Sequence, residues 1–330
     1  MAGGARAVNI DEIVAAQGRL RGHARVTLLL NAPLLDQELG RRIFLKAECL
    51  QKTGSFKYRG ARSAISNLDE TTRQRGVIAY SSGNHAQGVA LAARELGTSA
   101  VIVMPSDAPV SKIENTKAYG AEVVLYDRAT DDRDALGASL AEERGLTLIK
   151  PFDNVDVIAG QGTVGLEIAE QAADAGVSDA QVLVCCGGGG LTSGIAIALA
   201  DRAPGLQVHT VEPAGFDDVA RSLKTGEIQR NARQSGSICD AILTPSPGEL
   251  TFPIMQAHCG EGLTVSDEEA QRAMAAAFTH FRVVLEPGGA VALAAALFHA
   301  SGTQDIIAVG SGGNVDWPVF SEALTRFGAG

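Results

Sequence analysis

From residue 43 onward the sequence alternates short β-rich runs with longer Ala- and Leu-rich stretches, and few folds accommodate that order. The short runs fall at 43–48, 76–80, 99–105, 121–126, 147–150, 181–185, 206–211 and 305–309. Strands that alternate with helices imply parallel sheets with crossover helices. Residues 85–96 read as one such helix. Another opens at Ser266, with Glu269 three residues later as the partner of a capping box. The 330 residues exceed the ~250–300 at which single cores stop growing, so one large domain or two unequal ones is expected. No repeat or Pro-rich linker divides the chain, so a second domain would be an insertion bounded by ordinary loops.

Composition narrows the ligand. A net charge of −10 and the absence of any Lys/Arg cluster argue against nucleic acid and for a small molecule. The five cysteines, Cys49, Cys185, Cys186, Cys239 and Cys259, show no C-x-x-C spacing, so neither a disulfide framework nor a zinc site is suggested and a reducing cytosol fits best. The segment Met1 to Ile10 has no apolar core of a signal peptide, and no apolar run approaches the ~18 residues needed to cross a bilayer. A cytoplasmic protein with no membrane partner is expected.

In open parallel sheets ligands bind beyond the carboxyl ends of the strands. Four loops in that position are unusual. Cys186 to Gly194 places Gly187, Gly188, Gly189, Gly190 and Leu191 between an apolar strand and a helix, where backbone N–H groups and the helix dipole bind phosphate. The dinucleotide fingerprint is missed because Ser193 stands where its last glycine belongs, although Glu212 after the next strand could serve as a ribose-binding acid. In Gln51 to Gly60, Lys57 follows Ser55, the expected N-cap. A lysine desolvated there can lose its proton and attack an aldehyde. Lys46 and Lys52 read as solvated charges. Ser81-Ser82-Gly83-Asn84-His85 offers N–H groups to a carboxylate, and Asn84 could bond a phenolic oxygen or simply cap its helix. His85 reads as a packed first-turn histidine. Ser311, in Ser311-Gly312-Gly313-Asn314, could face a ring nitrogen with a neutral hydroxyl or form only a turn.

Together these segments resemble the fold-type II pyridoxal-phosphate (PLP) enzymes, specifically the serine/threonine dehydratase and serine racemase family. The resemblance covers nearly the whole chain and rests on Lys52-Thr-Gly-Ser-Phe-Lys57-Tyr-Arg-Gly60, Ser81-Ser-Gly-Asn-His-Ala-Gln-Gly88, Ile158-Ala-Gly-Gln-Gly162, Gly187 to Gly190 and Ser311-Gly-Gly-Asn-Val-Asp316. It implies a tryptophan synthase β-like α/β fold of two open, twisted, mostly parallel sheets with helices on both faces. Residues 1–75 and 149–330 would form a large PLP-binding domain and 76–148 a small substrate-loop domain. By the same resemblance Lys57 carries the cofactor as a Schiff base, Phe56 packs on its ring, Gly187 to Leu191 hold its phosphate, Asn84 meets its 3-hydroxyl and Ser311 faces its pyridine nitrogen. Ser81 to His85 would seat the substrate carboxylate, with Ser82 as the acid/base on the face opposite the lysine. Glu212, Asp218 and the Phe216 carbonyl match a divalent-cation site of the family, suited to Mg²⁺ or Ca²⁺. A homodimer is expected.

The departures concern substrate. Thr27-Leu28 stands where the family usually has Thr-Pro. Arg133 matches an arginine of the racemases and some hydroxyaspartate dehydratases, and could read a second substrate carboxylate. Phe152 resembles the threonine dehydratases instead. The chain stops soon after Asp316, so no regulatory extension and no end-product control are expected. The leading expectation is an ammonia-lyase acting on threonine or serine. A 3-hydroxyaspartate dehydratase and a serine racemase with side elimination are the alternatives.

Overall fold

A computed structural model of the chain describes residues 7–108 and 110–328. Residues 1–6 of the N-terminal segment considered above lie outside the described residues. Ten strands are present among those described: β1 (Leu29–Asn31), β2 (Ile43–Lys46), β3 (Val77–Tyr80), β4 (Ala100–Pro105), β5 (Glu122–Tyr126), β6 (Thr147–Leu148), β7 (Ala180–Cys185), β8 (Leu206–Pro213), β9 (Leu263–Val265) and β10 (Asp305–Val309). They form two sheets, ordered β1-β2-β10-β7-β8-β9 and β5-β4-β3-β6. Every pairing is parallel except β1 with β2, so the expected pair of mostly parallel sheets is what the chain forms. The added strands β1 and β9, absent from the sequence reading, are edge strands of three residues each. Such short runs carry too little alternation to be read.

Parallel register brings the informative loops together. Val309 lies opposite both Lys46 and Val184, so β2, β10 and β7 end side by side. Beyond those ends the loops are stitched: the Cys49 N–H donates to the Gly310 carbonyl at 2.8 Å and the Phe56 N–H to that of Ser311 at 3.1 Å. Ser55 and Gly312 form an antiparallel bridge. Ser55 is therefore not the N-cap. It is fully buried in extended backbone, and the helix Lys57–Ser66 begins after Phe56.

That helix is fixed from behind by buried charge. Arg59 donates to Glu48 at 2.8 and 2.9 Å and to Glu167 at 2.7 and 2.9 Å, while Lys46 Nζ donates to Glu167 at 2.6 Å. Lys46, expected in solvent, is 0% exposed. Both faces of its strand are covered, and the cost of burying its charge is offset by two carboxylates shared with Arg59. Lys57 and Arg59 are two residues apart, roughly 200° around a helix, so anchoring Arg59 in this network turns Lys57 the other way. The helix Asn84–Glu95 crosses Lys57–Ser66 at Gly88, where a Cβ would lie 3.1 Å from the Lys57 carbonyl carbon.

Candidate active site

Where the two sheets' loops meet lies a cavity of about 200 Å³. It is lined by Phe56, Lys57, Ser81 to His85, Gly187 to Leu191 and Ser311 among others, so four segments scattered over the sequence converge on one space. Lys57 Nζ donates to the Pro151 carbonyl at 2.8 Å and lies 5.1 Å from the centre of the Phe56 ring. Burial lowers its pKa to about 8, making a free amine accessible near neutrality.

The glycine loop is shaped from behind. A Cβ on Gly188 would lie 2.4 Å from the Phe152 ring, and one on Gly190 would lie 2.7 Å from Gln161 Oε1. Gly189 has φ of +88°, which favours glycine. The backbone N–H groups of residues 187–191 meet no acceptor among the described residues, and they open the helix Gly190–Arg202. Unpaired donors at a helix start, beside a cavity, form a cradle for an anion. Thr192 and Thr244 also line the cavity, and each has a buried hydroxyl with no partner.

The loop at 81–85 supplies a second set of donors. The N–H groups of Ser82, Asn84 and His85 have no acceptor among the described residues, and Ser82 lines the cavity. Asn84 does not cap its helix. Its Nδ2 donates to Glu286 Oε1 at 2.6 Å, and its Oδ1 accepts from Asn314 at 2.7 Å. His85 Nε2 lies 2.8 Å from the Ile149 carbonyl and so carries the proton, while burial, reinforced by the Lys57 charge, lowers its pKa to about 3. It remains neutral. Ser311 is buried beside the Cys185 thiol and gives its carbonyl to Phe56.

Glu286 is a site residue that the sequence reading missed. It is buried and lines the cavity at the N-cap of the helix Pro287–Phe298. Burial raises its pKa to about 7, aided by the charge of Asp240 and opposed by the Asn84 hydrogen bond and Lys112. The Glu286-Pro287-Gly288-Gly289 run was the available signal, a carboxylate at a helix start followed by small residues. Lys112 and Asp240 also line the cavity.

Four expected residues lie elsewhere. Arg133 begins the helix Arg133–Arg144, with its guanidinium 6.0 Å from the Tyr80 ring centre and 2.8 Å from Asp134, and it does not line the cavity. Glu212, Phe216 and Asp218 sit beyond β8. Glu212 accepts from the Val219 and Ala220 N–H groups at 2.9 and 2.7 Å, Asp218 accepts from Asn231 at 2.5 Å, and Asp218 Oδ2 is buried without a partner. No group of three or more His, Cys, Asp or Glu side chains arranged to hold a metal occurs among the described residues.

One cavity thus combines a glycine loop with free N–H groups at a helix start, a buried lysine and a second loop of N–H donors. The family model for pyridoxal-phosphate dependent enzymes matches residues 20–312, and the chain belongs to that family. Among its relatives, an L-threo-3-hydroxyaspartate ammonia-lyase of a Pseudomonas species is 43% identical over 315 residues, covering 95% of this chain and 97% of the relative. An L-threonine ammonia-lyase of Thermotoga maritima is 40% identical, covering 97% of this chain and 79% of the relative. Among solved structures, a threonine deaminase of T.th. has a TM-score of 0.88 at 46% identity, covering 94% of this chain and 99% of that one. Maize serine racemase has a TM-score of 0.90 at 36% identity, covering 97% and 98%.

Proposed function

We propose that this chain is a PLP-dependent ammonia-lyase that converts a 3-hydroxy amino acid, L-threonine or L-serine, to a 2-oxo acid and ammonia. The observation that carries the reading is the convergence of Lys57, the free N–H groups of residues 187–191 and those of Ser82, Asn84 and His85 on one cavity. PLP, when bound, supplies an electron sink for the charge that develops at the substrate α-carbon. Gly187 to Leu191 would hold its phosphate, Phe56 would pack on its ring, Asn84 would meet its 3-hydroxyl and Ser311 would face its ring nitrogen. Ser81 to His85 hold the substrate carboxylate. The Lys57 amine, whose pKa burial lowers to about 8, takes the α-proton in its neutral form, and Ser82 holds a proton on the opposite face. Residues 76–148 act as a small domain that closes over the cavity and excludes water.

A 3-hydroxyaspartate substrate is the second reading, favoured by the charged groups at the cavity mouth described below. Arg133 gains no support as its carboxylate reader, because its guanidinium is half exposed and paired with Asp134. A cation held by Glu212, Asp218 and the Phe216 carbonyl also belongs to this proposal. Burial raises Asp218 to about 7 and Glu212 well above its usual value, and each charge works against the ionisation of a neighbour. Mg²⁺ or Ca²⁺ would relieve both groups and occupy the unpartnered Asp218 oxygen.

Carboxyl groups raised in the folded state contribute stability below their unfolded values near 4, and that contribution is lost for Asp218 as pH rises through about 7 and for Glu212 as pH rises through its own raised value. Without divalent cations the melting temperature should therefore fall between pH 5 and 8. Mg²⁺ or Ca²⁺ should restore it at pH 8 and change little at pH 5. An equal response at both pH values would remove the cation from this site. The chain is further proposed to pair with a second copy, for which the exposed apolar side chains of Val26, Leu28 and Leu34 are suitable material. The activity itself is tested by incubating holoenzyme with threonine, serine and the 3-hydroxyaspartate stereoisomers while measuring oxo acid, ammonia and enantiomer ratio. Production of neither oxo acid nor ammonia from any of them would overturn the reading.

A further inference from the structure

We infer that Lys112 is a specificity-determining residue that receives a second, side-chain carboxylate of the substrate, with Asp240 standing in for that carboxylate when the substrate has none. The inference rests on the reading of the cavity as an amino-acid site and extends it to the substrate class.

Among the described residues that line the cavity, only Lys57 and Lys112 carry an ammonium, none carries a guanidinium, and His85 is neutral. Lys57 is committed to cofactor and α-proton, and the α-carboxylate has the N–H groups of Ser82, Asn84 and His85. Lys112 is the remaining cation. It comes from the helix Val110–Ala118, beside the four-stranded sheet, and reaches Asp240 on the short turn Asp240–Ile242, with Nζ 3.2 Å from Oδ2. One residue earlier, Ser111 donates to Asp316 at 3.2 Å. The helix thus touches the other half of the molecule at two points, one of which, Lys112 with Asp240, belongs to the cavity lining.

The two partners of the ion pair are unequal. The Lys112 side chain is 17% exposed and the Asp240 side chain 66%. Neither makes another hydrogen bond among the described residues. Asp240 can return its carboxylate to water at little cost, since it is mostly hydrated already. Lys112 has less water to turn to and keeps a standing demand for an anion. The exchangeable member of the pair is therefore the carboxylate. An incoming substrate with a carboxylate on its side chain can replace Asp240 and restore the same charge pairing. An uncharged side chain such as that of threonine leaves the Lys112–Asp240 pair in place, so such a substrate can be accepted as well. Asp240 then acts against dicarboxylates by competing for Lys112.

Two variants separate this role from a simple clasp across the cavity mouth. Removing either partner breaks the clasp, but only Lys112 offers charge to a ligand. In calorimetric titrations of holoenzyme, Lys112→Met should weaken binding of succinate, the deaminated counterpart of aspartate, by about tenfold, the scale of one hydrogen bond to a charged group. Binding of butyrate should change less than about twofold on the same scale. Asp240→Asn should strengthen succinate binding, and Lys112→Arg should retain it. In turnover, the ratio of kcat/KM for hydroxyaspartate to that for threonine should move in the same directions. The inference is overturned if Lys112→Met and Asp240→Asn weaken succinate alike, or if butyrate follows succinate. Should the wild type turn over no 3-hydroxy amino acid, the proposed activity fails while the succinate and butyrate titrations still read Lys112.

Discussion

The cavity has two donor loops built to different standards. The loop at 187–191 is buried along most of its length, and Gly188, Gly189 and Gly190 are packed against Phe152, Met255 and Gln161 so closely that a Cβ would lie within 3 Å of them. The loop at 81–84 is half-buried, and a Cβ on Gly83 would meet nothing within 4 Å. Both present N–H groups at the start of a helix, so the chemistry offered is the same. What differs is how firmly the backbone is held. A cofactor that stays through every cycle is served by a rigid cradle, whereas a substrate must enter and leave each time. Stability is not uniform across a fold, and elements that move are drawn from its less packed parts.

If this division is correct, substitutions should sort by side. The largest effect belongs to Lys57, on which both halves depend. Lys57→Ala should lower turnover by at least ~10³-fold with the fold intact, since it removes an amine rather than a packing group. Wild-type oxo-acid production in that variant would break the assignment. Next comes a matched pair of glycines. Gly188→Ala drives a Cβ toward the Phe152 ring, an overpacking of the kind that costs about 1–3 kcal/mol, and should release PLP on dialysis. Gly83→Ala should retain the cofactor as the wild type does. If both variants lose PLP equally, rigidity is not what distinguishes the loops.

A smaller and more selective effect is expected on the open side at Ser82, which lines the cavity. Ser82→Ala should suppress racemisation and action on D-enantiomers far more than elimination from the L-substrate. Enantiomer ratio and oxo acid measured in one incubation decide this, and equal loss of both would make Ser82 structural.

The parts of the site also differ in how readable they are from sequence. Lys57, the four glycines and the 81–85 loop are local signals: each is a few consecutive residues between a strand and a helix, and parallel topology alone predicts that such loops gather at one edge. Partners contributed by distant segments carry no local mark. Glu286 reaches Asn84 across 202 positions, and Lys112 reaches Asp240 across 128. Lys46 misleads for a related reason, since a lone lysine on a strand gives no sign of the two carboxylates that will bury with it. Ser55 looks like a helix cap by residue type and spacing, but the bridge to Gly312, formed only after the sheet assembles, holds it in extended backbone.

The smallest effect concerns Arg133, which tests whether the open side reads charge at the cavity or merely carries charge on its surface. Arg133 lies at the start of its helix beside Asp134 and above Tyr80, the residue immediately before the 81–85 loop. A guanidinium there makes a surface ion pair, worth roughly 0–1 kcal/mol, and a distant aromatic contact, worth about 0.5–1 kcal/mol at exposed sites. Neither involves the cavity. Arg133→Ala should therefore change kcat/KM for threonine and for hydroxyaspartate by less than about threefold each, the equivalent of roughly 0.65 kcal/mol. Lys112→Met, on the same side of the molecule, should separate the two substrates by about tenfold. Measured side by side, the variants locate the carboxylate reader. A selective loss of hydroxyaspartate in Arg133→Ala would mean that closure swings the arginine inward over Tyr80, and the open side would then be organised by motion rather than by the contacts it makes at rest.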